Sequence, residues 1–398
     1  MVVLRIEQPE IRARRQALFD AHAQDRPQAA VIFSSAAAFY LSGFAFIATE
    51  RPLALVLSRD EAVAFVPQLE REHVQATAIV DRVATYPDYP GDSHPMESLT
   101  SLVREMTGTS APTLLVDAEG YASPYGYRGP KLPELLPDAV LVRCAETLEQ
   151  LRYVKSSDEQ ALLRESSRWS DITHRYLQDG CADGANETDV SLAASRAGMA
   201  ELVAAHGDAY DPRSPGGLNV VAGFRSQIGP NSAFPHAIPK DLTMHTGDVL
   251  VTGASALVWG YKCELERTMV LGEPTPEQRR FFSLMVGAQE TAFEALRPGA
   301  RCSDVDGAVR AYFDEHGITE YWRHHTGHGL GTQIHEGPFL DVGDHTVLEP
   351  GMVFSIEPGL YVPGLAGFRH SDTALVTDDG AEYLTTYPRG IEDLLCAT

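Results

Sequence analysis

The sequence predicts a two-domain α/β (α+β) protein, and three observations carry that reading. The chain is 398 residues long, more than a single hydrophobic core ordinarily organises. Its first third mixes short apolar runs with polar helical patterns, and the remainder is richer in turns and strands punctuated by well-marked helices. An apolar fraction of 44% agrees with globular packing.

In chain order, Ala29 to Phe33, Pro52 to Leu57 and Thr113 to Val116 have the length and apolarity of strands buried in an α/β layer. Glu146 to Lys155 leads into Ser156-Ser157-Asp158-Glu159, with Ser at the cap and acids in the first turn of a helix. This places the domain boundary near residue 155, giving domains 1–155 and 156–398. Trp259 to Leu271 reads as one strand, whose period of two puts Lys262, Glu264, Glu266 and Thr268 on one face and Cys263, Leu265 and Arg267 on the other. Glutamates side by side on one strand face repel if left unpaired, so they point to a cationic ligand or a metal. Thr275-Pro276-Glu277-Gln278 starts a helix carrying Phe281, Met285, Ala288, Ala292 and Leu296 on one face until Pro298-Gly299. Ser303 is expected to cap the next helix, which ends at Gly317.

Lys and Arg total 32 against 55 Asp and Glu, a net charge of −23. Nucleic acid and anionic membrane need a basic patch, so neither is expected as a partner. Lysine is scarce, at Lys131, Lys155, Lys240 and Lys262. Cys144, Cys181, Cys263, Cys302 and Cys396 show no paired spacing, and the N-terminus has no basic-then-apolar signal, which fits a reducing cytoplasm. No apolar run reaches the roughly 18 residues of a membrane-spanning helix.

Three segments carry the chemistry: Gly-Asp-Val-Leu-Val-Thr-Gly-Ala (247–254), His-His-Thr-Gly-His-Gly-Leu-Gly (324–331) and Ser-Ile-Glu-Pro-Gly-Leu-Tyr (355–361). With them the chain resembles the creatinase, aminopeptidase P and prolidase superfamily, whose catalytic domain is the pita-bread fold. The resemblance runs from about residue 156 to the C-terminus, with a weaker match of residues 29–60 to the creatinase and prolidase N-terminal domain. In the peptidases of this superfamily two Asp, one His and two Glu hold two divalent ions that activate a bridging water. Those positions fall on Gly253, Glu264, His328, Glu357 and Ser371. Glycine has no donor and serine is a poor ligand, so the resemblance implies a dismantled two-metal site.

Creatinase, a member that works without metal, resembles Gly260-Tyr261-Lys262-Cys263-Glu264-Leu265-Glu266-Arg267-Thr268. Its site glutamates fall on Glu266 and Glu357, its general-base histidine on His236, a further site histidine on His328, and a carboxylate-binding Arg from the partner subunit on Arg51. The fit is incomplete, because Thr49 and Phe339 stand where creatinase has an aromatic residue and a second substrate-binding Arg. Creatine itself is therefore not the expected substrate.

The reading drawn from this pattern is metal-independent hydrolysis of a C–N bond in a small zwitterionic guanidino, amidino or amide compound. His236, Glu266 and Glu357 are the expected catalytic residues; imidazole suits proton transfer because its unperturbed pKa lies near 6.5. Arg51, Tyr261, Glu264, His328 and His335 are the expected substrate-binding residues, and paired carboxylates would orient a planar cation. No cofactor and no metal ligand are expected, although a single ion held by Glu264, Glu266, His328 and Glu357 stays open. His324 and His325 are expected in a hydrogen-bonded layer, and Arg369 as an ion-pair partner. A homodimer is expected, with Arg51 contributed across the interface. Two alternatives remain: an Xaa-Pro dipeptidase or aminopeptidase with a reduced metal site, and an inactive peptide-binding module.

Overall fold

The computed structural model describes residues 5–121, 126–214 and 219–397. The chain divides into two compact units, one built mainly from Ile6–Arg152 and the other from Tyr153–Pro212 and Leu218–Thr398.

The first unit is organised on a six-stranded mixed sheet in the order Arg82–Tyr86, Ala62–Pro67, Ala54–Leu57, Ala29–Ile32, Thr113–Val116, Val140–Arg143. Its central strands are buried at every position, which is why they read as continuous apolar runs rather than alternating ones. Helices Gln8–Ala21, Ser35–Ser42 and Pro95–Thr107 add Leu18, Phe19, Leu41, Leu99 and Val103 to the same core.

The second unit carries a ten-stranded sheet whose main path runs Glu336–Leu340, Gly327–Gly329, Val353–Ile356, Ser371–Val376, Leu265–Leu271, Val249–Val258, Val220–Gly223. Helices Ser157–Asp179 and Glu187–His206 pack on Val249–Val258 and Val220–Gly223, and helix Pro276–Ala295 packs on Val353–Ile356 and Ala366–Arg369. The first of these helices starts as its sequence signals: Ser156 Oγ accepts from the Glu159 amide at 3.2 Å and Glu159 Oε2 accepts from the Ser156 amide at 2.9 Å. Thr275 and Gln278 close an equivalent reciprocal pair on helix Pro276–Ala295.

Two local expectations are corrected. The helix expected to be capped by Ser303 begins at Cys302. Backbone acceptors from the neighbouring loop do the work of a cap side chain: the Ser303 amide donates to Asp344 O at 2.8 Å and the Cys302 amide to Thr346 O at 3.0 Å. The single strand expected from Trp259 to Leu271 is two pieces, Tyr261–Lys262 and Leu265–Leu271. Trp259 and Gly260 are both left-handed, with φ of 45° and 79°, and form the hairpin turn that pairs Val258 with Tyr261. The ladder then breaks, because the Cys263 amide donates to Ser166 Oγ at 3.0 Å and the Glu264 amide to Thr373 Oγ1 at 2.9 Å.

Candidate active site

Glu264 sits at that break and Glu266 just inside the strand Leu265–Leu271, so both carboxylates reach one cavity of ≈ 420 Å³. His236, His335, Glu357 and Arg369 also line it, together with Arg225, Arg323, His324 and His325. His328 lies beneath, fully buried on the short strand Gly327–Gly329. Its neighbours are glycines for a steric reason: a Cβ on Gly329 would stand 2.5 Å from Gly337 O and 2.8 Å from Glu336 O, closer than packed atoms tolerate.

His328 Nδ1 lies 3.0 Å from Gly329 O, and its ring stacks on His335 with centroids 3.9 Å apart. The Nδ1–H donates to that carbonyl, so Nε2 faces Glu357 Oε1 at 3.2 Å and Glu264 Oε2 at 3.5 Å. Burial alone would push the His328 pKa down, but the two carboxylates outweigh it and lift it. Burial, then Glu357 and Glu266, push Glu264 up. Burial opposes ionisation of Glu357 too, yet His328 holds it well below the usual carboxylate range.

These groups fit a cation. Among the described residues His328 Nε2 and Glu264 Oε2 are both buried without a well-formed hydrogen bond, Nε2 meeting only the carboxylates of Glu357 and Glu264, and a lone pair facing carboxylates is repulsive unless a proton or a metal ion lies between. Glu264, His328 and His335 bring donor atoms within 4.8 Å of one another, as do Glu264, Glu266 and Glu357. A mixed carboxylate and imidazole set suits zinc or manganese.

Glu266 is in a different condition. Arg369 Nη2 donates to its Oε1 at 2.7 Å and Arg369 Nε to its Oε2. Arg225 Nη2 adds a contact to Oε1 at 3.1 Å, and Ser371 Oγ donates to Oε2 at 2.6 Å. Burial works against the Glu266 charge, but Arg369 and then Arg225 stabilise it and hold its pKa below the usual carboxylate range. Arg369 also donates to the Tyr361 hydroxyl at 2.9 Å, which lies 2.7 Å from His324 Nε2. Arg369 thus has the ion-pair role expected of it, and His324 the hydrogen-bonded one, although His324 and His325 also line the cavity.

The other expected residues are placed as follows. His236 is exposed on a loop at the cavity, between the exposed side chains of Phe234 and Ile238. Tyr261 is fully buried, and its hydroxyl donates to Glu159 Oε1 at 2.7 Å, away from the cavity lining. Arg51 belongs to the first unit, where its Nε donates to Asp88 at 2.9 Å and its Nη1 to Glu50 at 2.6 Å. Cys263 is buried against Ser170 Oγ at 2.8 Å.

Arg225 and Arg323 are cavity residues that the sequence reading missed. Arg225 has a signal only in three dimensions. It and Ser226 are consecutive left-handed residues, with φ of 50° and 53°, a conformation that costs a non-glycine residue roughly 1–3 kcal/mol and collects at functional sites. Buried Glu187 over-determines the turn: its carboxylate accepts from the Ser226 amide at 2.7 Å, from the Ser226 hydroxyl and from the Leu242 amide at 2.8 Å.

Comparison with known proteins accords with this geometry. Residues 161–378 match the family described as Metallopeptidase family M24, and residues 14–154 match the Creatinase/Prolidase N-terminal domain. The chain is 33% identical over 386 residues to the Mycobacterium tuberculosis protein named "Probable dipeptidase PepE", covering 95% of this chain and 96% of that one. It is 32% identical over 244 residues to the Xaa-Pro dipeptidase of Pyrococcus furiosus, covering 61% and 68%. The crystal structure of dipeptidase PepE from Mycobacterium ulcerans superposes with a TM-score of 0.80 at 28% identity, covering 99% of this chain and 100% of that one.

The expectation of a site without cofactor is overturned by these findings. The matched family is one of metallopeptidases, and Glu264, His328, His335 and Glu357 gather the donors that a divalent ion requires. Sequence reasoning left a single ion on Glu264, Glu266, His328 and Glu357 open, but could not see that Glu266 is taken up by Arg369 and Arg225 or that His335 joins the donors. The motifs, the mixed α/β units and the whole-length similarity agree: this chain is a member of metallopeptidase family M24, a hydrolase with a creatinase/prolidase-type N-terminal domain preceding a pita-bread catalytic domain.

Proposed function

We propose that the protein hydrolyses short peptides as an Xaa-Pro type dipeptidase or aminopeptidase with a reduced metal site. The observation that carries this is the orphaned pair His328 Nε2 and Glu264 Oε2, set 3.5 Å apart beside Glu357. Glu264, His328, Glu357 and His335 would hold a divalent ion, whereas Glu266, with its oxygens taken up by Arg369, Arg225 and Ser371, would not. A divalent ion bound there supplies electrophilic polarisation of the scissile carbonyl and of the attacking water.

The chain's own residues do the rest. His236, exposed at the cavity, takes a proton from the attacking water at a ring nitrogen and delivers it to the leaving nitrogen as the C–N bond breaks. Arg323 and Arg225 offer guanidinium groups for a substrate carboxylate. Arg369 and Tyr361 hold Glu266 and His324 in place rather than touching substrate. A homodimer with Arg51 reaching the partner's site is part of the same proposal, resting on the resemblance to creatinase.

The test is hydrolysis of Xaa-Pro dipeptides by protein dialysed against chelator and reloaded with manganese or zinc, alongside elemental analysis. Activity that chelation abolishes and metal restores supports the reading. Failure of every dipeptide in metal-loaded protein overturns it.

A further inference from the structure

The cavity holding the carboxylate cluster adjoins a second one of ≈ 320 Å³ that shares Arg225, Glu264 and Glu266 with it. The remaining wall is apolar apart from Ser255: besides Gly223 and Gly253 it is formed by Val221, Ala222, Ala254, Leu265 and Ile334. Strand register shows how this arises. Gly253 lies directly opposite Glu266 on one side and Gly223 on the other, with Val221 opposite Ser255 one step along the same face.

Gly253 is not demanded by its backbone. Its φ lies outside the left-handed region, and a Cβ built there would meet Glu266 Cγ and Oε1 at 3.7 Å, ordinary contact, with no other described residue beyond its chain neighbours within 4 Å. What the glycine contributes is therefore volume beside the charged cluster. Val221, 43% exposed, turns an apolar side chain into that volume, and concave apolar space next to a few convergent polar groups is the usual form of a ligand subsite.

We propose that the space left open at Gly253 is a side-chain subsite. A leucine- or phenylalanine-like side chain of the substrate enters between Val221, Gly253 and Ile334 while the polar part of the substrate stays at Arg225, beside the donors that would hold the ion. This rests on the dipeptidase reading for the identity of the substrate, and on the cavity alone for the preference. Burying a large apolar side chain there discriminates against glycine by roughly tenfold or more.

The test has two arms on full-length, manganese-loaded protein. The first compares kcat/KM for Gly-Pro, Ala-Pro, Leu-Pro and Phe-Pro in wild type, Val221→Asp and Gly253→Val; the Leu-Pro to Gly-Pro ratio is expected to be about ten or more in wild type and to fall toward one in both variants. The second measures binding of free L-leucine, L-phenylalanine and glycine by calorimetry, which needs no turnover; leucine and phenylalanine should bind more tightly than glycine, and Val221→Asp should erase the difference. Leucine-selective binding sensitive to Val221→Asp without any dipeptide hydrolysis keeps the subsite and overturns the peptidase reading. Hydrolysis with no side-chain preference, a preference untouched by both variants, or equal or undetectable binding of all three amino acids without hydrolysis overturns the subsite.

Discussion

Arg369 engages both oxygens of Glu266, with Nη2 on Oε1 at 2.7 Å and Nε on Oε2. The side chains are 4% and 6% exposed, so the pair is a buried fork-to-fork contact in which each charge is compensated mainly by the other. Arg369→Gln should destabilise the protein by about 3–5 kcal/mol because it leaves a buried carboxylate with reduced compensation. The double variant Arg369→Leu/Glu266→Leu should cost less than Arg369→Gln alone. Urea unfolding of the variants checks this, and a double variant worse than the single one would contradict it.

Restoring donors in the triple variant Gly253→Asp/Glu266→Thr/Ser371→Glu should raise the metal content per chain above that of wild type. The Cβ at 253 has room, and Ser371 already bridges toward Glu266 and Glu357 at 2.6 and 3.3 Å. Elemental analysis after equilibrium dialysis reads the change. An unchanged stoichiometry in a folded variant would show that another group limits binding.

His236→Ala should lower turnover by roughly two to four orders of magnitude, the range for loss of a general acid/base. Because the side chain is exposed on a loop, thermal unfolding should shift little. Near-normal turnover on an identified dipeptide would remove His236 from the mechanism.

Arg225 tests the strained turn. Arg225→Gly and Arg225→Ala both remove the guanidinium, so the contact to Glu266 is lost equally. Glycine adopts φ of 50° without penalty, and Arg225→Gly should therefore be more stable than Arg225→Ala by about 1 kcal/mol. Equal denaturation midpoints would mean that the turn relaxes once the side chain is gone.

Acid stability should depend on His174, fully buried with Nε2 2.6 Å from Thr252 Oγ1 and its other nitrogen unpaired among the described residues. Burial, and then Arg267, lower its pKa to about 3, against roughly 6.5 in the unfolded chain. Between those values the unfolded state binds a proton that the folded state refuses, so stability falls as pH drops below about 6.5. His174→Gln should flatten the profile by up to about 1.4 kcal/mol per pH unit in that window. Urea midpoints at pH 7, 6 and 5 provide the comparison.

By itself the sequence determined the two-unit α/β plan, the superfamily, and the helix starts at Ser156 and Thr275. Those signals are local: apolar runs of strand length, and caps whose partners lie three residues away. It also brought Glu264, Glu266, His328, His335, His236 and Glu357 under suspicion, through short motifs that hold ligand types at fixed positions. Only the tertiary structure decided what state those groups are in. Glu264 and His328 are left with unsatisfied atoms facing each other, while Glu266 is saturated by an Arg more than a hundred residues away and by Arg225. Burial and partner geometry set charge, and both depend on segments distant in the chain. For the same reason a missing side chain at Gly253 read in sequence as a lost ligand, and in the fold as a cavity.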